Sequence, residues 1–410
     1  MRIGLFTDTY PPYINGVSTS VYMLKKALEK KGHEVYVVTV NNTNAKYKME
    51  DNNTIIRVPG IPIGIYDYRI TGIYPLKAMN QVKKWKLDVI HSHTEFGIGT
   101  FARLMAKQLH IPLIHTYHTM WEDYTYYITH GYFKKASDKV VEYLTKFYCD
   151  KTANALIVPT KKIFDLFKNK YGYEKDINII PTGIEIERFY QENVSKDEVS
   201  ELKKKLNINK KDFVITFVGR IAQEKNIEFL IDAQKDLVKQ YNNIKLIIIG
   251  DGPELKTFKK QADEMKLKDS IIFTGKVPWN DIPKYYQLST VFATASTTET
   301  QGLTVIEAMA GGVMPICIDD ESFRNTVEND KNGKLFTTKA EYKDIITTLH
   351  NDDKLLKKLS NQARIDADRY SSKNYAEAVL KVYESCINVH NQKKKFGSIP
   401  KIFKSKKDQK

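Results

Sequence analysis

The sequence predicts an α/β protein of two doubly wound domains that face each other across a cleft, and three observations predict it. Apolar, β-branched runs recur along the chain, each flanked by Gly, Pro, Asn or Asp and separated by segments of helical period. The series is interrupted once, by the Lys- and Glu-rich stretch Gln191–Lys211, and then starts again. Runs such as IKLIIIG, Ile244 to Gly250, are nearly continuous in apolar character, which suits strands covered by helices on both faces; a strand with one wet face would alternate. The 410 residues, 42% of them hydrophobic, suffice for roughly two to three ordinary cores.

The first domain is expected over residues 1–190, with strands Ile3–Thr7, Val35–Val40, Thr54–Val58, Asp88–His91, Leu113–Thr116 and Ala155–Pro159. Its first crossover helix begins near Val17: Val17, Val21, Leu24 and Leu28 fall at spacings of 4, 3 and 4 on one face, and Gly32 supplies a left-handed position that ends the helix. The second domain, 191–370, carries strands Phe213–Gly219, Lys245–Gly250, Ile271–Gly275, Val291–Ala295 and Pro315–Ile318. No fixed-period repeat longer than the βα unit is visible. The end, 391–410, holds eight lysines and one aspartate and reads as a solvated basic tail or a segment that adheres to an acidic surface.

No stretch approaches the roughly 18 uninterrupted apolar residues of a membrane span, which excludes an integral helical membrane protein. The opening MRIGLFTDTY runs into a strand without the basic and apolar regions of a secretory leader, so a cytoplasmic protein is expected. Cys149, Cys317 and Cys386 cannot all pair and form no C-x-x-C, which argues for free thiols over a disulfide framework or zinc ribbon. With 64 Lys+Arg against 49 Asp+Glu the net charge is +15, which implies an anionic partner: nucleic acid, an anionic lipid surface or a phosphorylated small molecule.

The segment Ser296–Pro315, STTETQGLTVIEAMAGGVMP, follows a predicted strand and opens a helix. Backbone N–H groups around Gly302, Leu303 and Thr304 form an anion site there, and glycine lets a phosphate approach the main chain. Glu299 precedes the turn and Glu307 lies eight residues on, roughly 12 Å along a helical axis. That span is near the one between a sugar and a ribose flanking one diphosphate, and carboxylates accept hydrogen bonds from such hydroxyl-rich rings. Arg220 and Lys225 follow the first strand of the second domain, where they would face the ligand crevice and neutralise a leaving diphosphate. In the first domain the loop after Ile3–Thr7 carries one glycine, Gly16, too few for a G-x-G-x-x-G dinucleotide fingerprint, so NAD binding is not expected. Gly16 can still bring a second set of amides to the diphosphate.

His91, His93, His115 and His118 end two neighbouring predicted strands. No carboxylate or cysteine completes a recognisable ligand spacing, so no metal site is expected, and His118, beyond its strand, is the one that reaches the cleft. The single Asp-x-Asp, Asp366 and Asp368, sits in a polar helical run and reads as surface.

After Tyr117 and His118 come Trp121, Tyr124 and further aromatics, then the basic stretch with Lys134, Lys135 and Lys139. Tyr and Trp beside Lys suit a membrane surface, with rings at headgroup depth and ammonium groups on anionic lipid. A second such stretch is Arg69–Lys86, with Ile70, Ile73, Leu76, Met79 and Val82 at three-residue steps beside Lys77, Lys83 and Lys84. A core-facing helix with a solvated basic side is the alternative for each.

Taken in order, the MRIGLFTDTYPPYINGVSTSV opening, Gly219-Arg220 with Lys225, and the Glu299/Glu307 element resemble glycosyltransferase family 4, retaining enzymes of the GT-B type with two Rossmann-like domains. The resemblance spans nearly the whole chain. HSHTEFGIGTFARLMAKQLHIPLIHTYHTMWEDYTYYI more narrowly resembles bacterial diacylglycerol glucosyltransferases. The resemblance implies that Glu299 binds donor-sugar hydroxyls, Glu307 the ribose, and Arg220 and Lys225 the diphosphate. It further implies that Gly16 contacts the phosphates, that His118 contacts the transferred sugar, and that a last helix near Ser371–Val389 crosses back onto an acceptor-binding, membrane-facing first domain. One glycine follows Asn15 where many relatives carry two.

The implied reaction is retaining transfer of a hexose, glucose from UDP-glucose, to the 3-hydroxyl of diacylglycerol at the inner face of the plasma membrane. It uses no cofactor and no essential metal, and departs from the front face or proceeds by double displacement. Another lipid, a phosphatidylinositol or teichoic-acid precursor, or a soluble saccharide is the alternative acceptor. A basic nucleic-acid-binding protein is the alternative of another class; no nucleic-acid module is recognisable, so nucleic acid is not the partner expected.

Overall fold

In the computed structural model of the protein the described residues are 1–13, 15–41, 46–62, 69–72, 75–95, 97–118, 139, 142–143, 145–146, 149 and 152–397. Ten strands precede residue 180: β1 (Arg2–Phe6), β2 (Glu34–Asn41), β3 (Lys48–Glu50), β4 (Ile55–Pro59), β5 (Ile61–Pro62), β6 (Arg69–Ile70), β7 (Val89–Ser92), β8 (Leu113–Thr116), β9 (Ala155–Val158) and β10 (Ile177–Ile179). Eight form one sheet in the order β10-β9-β8-β7-β1-β2-β4-β3, with β5 and β6 a separate ribbon. All neighbours in the sheet are parallel except β3, which runs antiparallel to β4. The second sheet holds β11 (Phe213–Val218), β12 (Ile244–Ile249), β13 (Ile271–Gly275), β14 (Val291–Thr294), β15 (Met314–Ile318) and β16 (Lys334–Phe336), all parallel, in the order β13-β12-β11-β14-β15-β16.

Both sheets bury both faces, which is why their strands lack polar alternation. In the first, Ile3 and Leu5 pack under the helices Gly16–Lys30 and Ser372–Gly397, while Phe6 and Val38 pack under Leu76–Trp85 and Gly97–Leu109. In the second, Ile215 and Phe217 face the helices Ile227–Gln240 and Lys339–Asn351, and Val214 faces Leu303–Ala310 on the other side. The first crossover helix starts one residue before Val17, with the Asn15 side chain accepting from the Ser18 N–H, and ends on Gly32 at φ +81°. The helix from Ser372 buries Tyr375, Ala376, Val379 and Tyr383 in the core of the first sheet. The two passages of chain between the sheets lie side by side: the Ile184 N–H donates to Tyr370 O at 3.0 Å and the Ser372 N–H to Ile184 O at 2.8 Å.

One sequence expectation fails here. Arg69–Lys86 is not a single amphipathic helix: Ile70 belongs to β6, and the helix starts at Leu76. Its Val82 is fully buried in the core while Leu76 is 61% exposed. Of the cysteines, Cys149 and Cys317 are buried and Cys386 is half-buried, all three free.

Setting aside the antiparallel edge strand β3, the strand order of each sheet reverses once, between β7 and β1 in the first and between β11 and β14 in the second. Ligands of doubly wound sheets bind outside the carboxyl ends of strands at such a switch point.

Candidate active site

The residues singled out near strand ends gather at the carboxyl edges of the two sheets, after the switch strands β1, β7, β11 and β14 and after β8 beside β7. Gly16 opens the helix after β1, His93 follows β7 and His118 follows β8; Arg220 and Lys225 follow β11, and Glu299 follows β14. Gly302 holds φ +74°, and a Cβ there would lie 2.5 Å from Phe323 Cε1, so both backbone and space demand glycine. It sets the start of the helix Leu303–Ala310, whose first-turn amides are left over by the helix itself. A Cβ on Gly16 would lie 4.0 Å from Leu303 Cδ1, so the first turns of two helices, one from each domain, look at each other.

The stretch from Glu299 to Gly302 is a loop and only Leu303 onward is helical, so the separation of Glu299 from Glu307 is not the rise of eight helical residues. The two carboxylates have opposite environments. Lys225 Nζ donates to Glu299 Oε1 at 2.5 Å. Burial acts to raise the Glu299 carboxyl, but the Lys225 charge and hydrogen bond, a hydrogen bond from Ser296 and the charge of Lys162 outweigh it and hold it below the usual carboxylate range. Glu307 receives the Tyr286 hydroxyl at 2.9 Å on Oε2, and Tyr286 also donates to Thr304 O at 3.1 Å. Burial pushes Glu307 up to about 7 against that hydrogen bond and the Arg188 charge. Arg188 lies flat on Trp279, its guanidinium carbon 3.2 Å from the ring centre, and donates to Trp279 O at 2.9 Å.

The loop that carries Glu299 is held by the other domain at four points. Thr300 Oγ1 donates to His118 O at 3.0 Å, Thr160 Oγ1 donates to Thr300 O at 2.8 Å, Lys162 Nζ donates to Thr297 O at 3.1 Å, and Gln301 pairs with the backbone of Thr182. Lys162 also holds Asp320 at 2.8 Å. His118 is therefore at the seam between the domains, and burial pushes its imidazole down to about 4.

The structure brings Gly16, His118, Arg220, Lys225, Glu299, Gly302, Leu303, Thr304 and Glu307 to the facing carboxyl ends of the two sheets. It does not bring Tyr117 to a lipid surface: the residue after β8 turns inward and packs edge-on against Phe167 with ring centres 5.0 Å apart, fully buried. Trp121, Tyr124, Lys134 and Lys135 lie outside the described residues, and Lys139 is exposed. Lys162, Thr182, Arg188 and Tyr286 escaped the sequence reading because they fall in no motif, and Gln301 because nothing in its segment gives its side chain a role; their partners are 18 to 158 residues away. Among the described residues no three His, Cys, Asp or Glu side chains converge in metal-ligating geometry.

Two doubly wound domains joined by a paired crossing, with a glycine-started helix, two cations and two acids at the facing strand ends, define a GT-B glycosyltransferase. The sequence matches the family model Glycosyltransferase Family 4 over residues 14–188 and Glycosyl transferases group 1 over 198–366. It is 37% identical over 399 residues to the α-monoglucosyldiacylglycerol synthase of Acholeplasma laidlawii, covering 96% of this chain and 99% of that protein. It is 38% identical to the synthase of the same name from Streptococcus pneumoniae, over 81% of this chain and 74% of that one. Anabaena Alr3699/HepE, solved with UDP-glucose, shares the fold with a TM-score of 0.71 at 18% identity, over 94% of this chain and all of that one. The chain belongs to glycosyltransferase family 4 and is an enzyme that transfers a sugar.

Proposed function

We propose that this enzyme is a retaining hexosyltransferase that moves glucose from UDP-glucose to the 3-hydroxyl of 1,2-diacylglycerol and so makes α-monoglucosyl-diacylglycerol. The acceptor and the sugar rest on the two synthases that resemble it along most of their length; the uridine rests on the family resemblance. The observation that carries the donor side is the 2.5 Å Lys225–Glu299 contact beside the Gly302-started helix, which puts an acid, a cation and free amides together at one switch point.

In this reading Glu299 accepts from the donor's sugar hydroxyls and Glu307 from the ribose. The leaving diphosphate lies against the amides of Gly16, Leu303 and Thr304. An ammonium has three N–H groups, so Lys225 can hold Glu299 and a phosphate oxygen together, with Arg220 as the second cation. As the bond from the anomeric carbon to phosphate oxygen breaks, negative charge grows on the diphosphate where these fixed donors already point. The acceptor oxygen bonds to the same face of the sugar, and its proton passes to the departing phosphate oxygen. His118, neutral by its environment, meets the transferred sugar. The charge stabilisation is assigned to the protein alone, with no metal ion.

The first domain is assigned to the acceptor and to the inner membrane face, through the basic stretch that includes Lys139 and through the exposed Leu76 with Lys77, Lys83 and Lys84 beside it. Among the described residues no helix is long and apolar enough to cross a membrane, so the contact proposed is peripheral. The test is mass spectrometry of lipids after mixing the protein with diacylglycerol liposomes and a panel of nucleotide-sugars. A monohexosyl-diacylglycerol formed with UDP-glucose is expected; sugar on no lipid, or on an added soluble saccharide only, defeats the reading. Sedimentation with liposomes should rise with anionic lipid and fall with salt.

A further inference from the structure

β7 and β8 are parallel neighbours, with Ser92 opposite His115, and just beyond their ends His93 and His118 meet. His93 Nδ1 is 3.0 Å from His118 Nε2. The rings are within 21° of coplanar with centres 5.3 Å apart, the arrangement of two imidazoles joined edge to edge in one plane. His93 is 1% exposed, and its Nε2 is buried with no hydrogen-bonding partner among the described residues. The neighbouring His91, whose ring centre is 4.0 Å from that of His93, cannot serve, because its own nitrogens are taken by the Tyr383 hydroxyl and Thr116 Oγ1, each at 2.7 Å.

Burial and the surrounding imidazoles hold His93 and His118 well below the ordinary histidine range, so both are neutral and one proton lies between them. It has two places to be. On His118 Nε2 it would force the proton of His93 onto Nε2, leaving a buried N–H without an acceptor. On His93 Nδ1 it leaves only a bare ring lone pair in that spot, and orphaned buried N–H groups are the rarer and costlier defect. We infer that His93 is a positioning residue: it donates its Nδ1–H to Nε2 of His118 and thereby fixes His118 in the tautomer that carries its proton on Nδ1.

The functional consequence rests on the reading of His118 as the residue that meets the transferred sugar. His118 then offers that sugar a hydrogen-bond donor, and its remaining lone pair is already occupied. It cannot take the proton of the acceptor hydroxyl, which fits the assignment of that proton to the departing phosphate.

Nitrogen-15 NMR of the full-length protein with labelled histidine, with His118 assigned by loss of its signals in His118→Ala, reads the tautomer directly. A pyrrole-type signal for Nδ1 and a pyridine-type signal for Nε2 of His118 are expected; the reverse overturns the inference. His93→Leu should lower kcat by about 10-fold to 100-fold, the size of a lost buried hydrogen bond, with KM nearly unchanged, and should mix the His118 tautomers. His93→Asn, whose amide N–H stands where Nδ1–H stood, should recover both. A folded His93→Leu protein with unchanged kcat and one tautomer also overturns it, and if that variant fails to fold, the wild-type spectrum decides alone. Unchanged turnover in His118→Ala would defeat the reading of the sugar site instead, leaving the tautomer to the spectrum.

Discussion

The carboxamide of Gln301 pairs with the backbone of Thr182 as a strand would: Gln301 Oε1 accepts the Thr182 N–H at 2.8 Å, and Gln301 Nε2 donates to Thr182 O at 3.0 Å. Thr182 lies on the passage between the domains and Gln301 two residues past Glu299, so one side chain ties the acid-bearing loop to that passage. Both residues are about 4% exposed, and Thr182 continues inward through Ser20 to Tyr375. Replacing Gln301 by Ala leaves a buried N–H and a buried C=O unpaired, a loss of about 1–3 kcal/mol. A fall of several degrees in Tm is expected by calorimetry, and an unchanged Tm would mean the pair contributes nothing.

Lys225→Ala removes a cation from the place where charge grows on the leaving diphosphate. The expected loss is about 10²-fold in kcat, or roughly 2.7 kcal/mol, with the affinity for diacylglycerol vesicles little changed. Steady-state kinetics on mixed liposomes reads both. Because the charge is assigned to protein groups, dialysis against EDTA should leave wild-type turnover as it was; its loss, restored by a divalent cation, would refute that assignment.

Which of these residues could be seen in advance follows from how each is held. The long strands were legible because both faces of the sheets are buried and their runs stay apolar; β3, β5, β6, β10 and β16, at two or three residues each, have no run to read. Glu299, Gly302 and Glu307 were legible because one contiguous segment carries them. The pairs His93–His118, Gln301–Thr182 and Tyr286–Glu307 were not, because their members are 25, 119 and 21 residues apart and are joined only by sheet order and helix packing. Tyr117 misled for a related reason: beside His118 it reads as part of an aromatic surface, yet it turns into the core.

Glu307 gives a stability prediction with an unusual sign. Its folded pKa is raised from 4.5 to about 7, so between those values the folded state holds a proton that the unfolded state has lost, and stability falls as pH rises through that window. Glu307→Gln keeps an acceptor for the Tyr286 hydroxyl without the buried charge. It should leave stability unchanged near pH 4.5 and raise it above pH 7, by on the order of 3 kcal/mol at most. Urea denaturation at the two pH values checks this, and equal stability at both would place Glu307 in the ordinary carboxylate range. Donor binding should weaken in the same variant.

Acid should nevertheless unfold the protein, because the histidines beneath the cleft outnumber the raised carboxyls. His91, His93, His115 and His118 all lie below the ordinary 6.5, chiefly through burial, whereas Asp8 and Glu307 are raised, also chiefly through burial. Below pH 6.5 the unfolded chain gains protons on four imidazoles that the folded chain does not, so these groups cost stability as pH falls from 6.5 through their lowered values. Each unmatched proton is worth about 1.4 kcal/mol per pH unit, and two carboxyls acting the other way offset at most half of the four. The urea midpoint should therefore drop from pH 7 to pH 5, where carboxylates that fold with lowered values are still ionised in both states. The variant His91→Gln, at a position whose ring nitrogens bond the Tyr383 hydroxyl and Thr116 Oγ1 among the described residues, should flatten that slope by up to one proton. A midpoint independent of pH across that range would mean the four imidazoles titrate as they do in the unfolded chain.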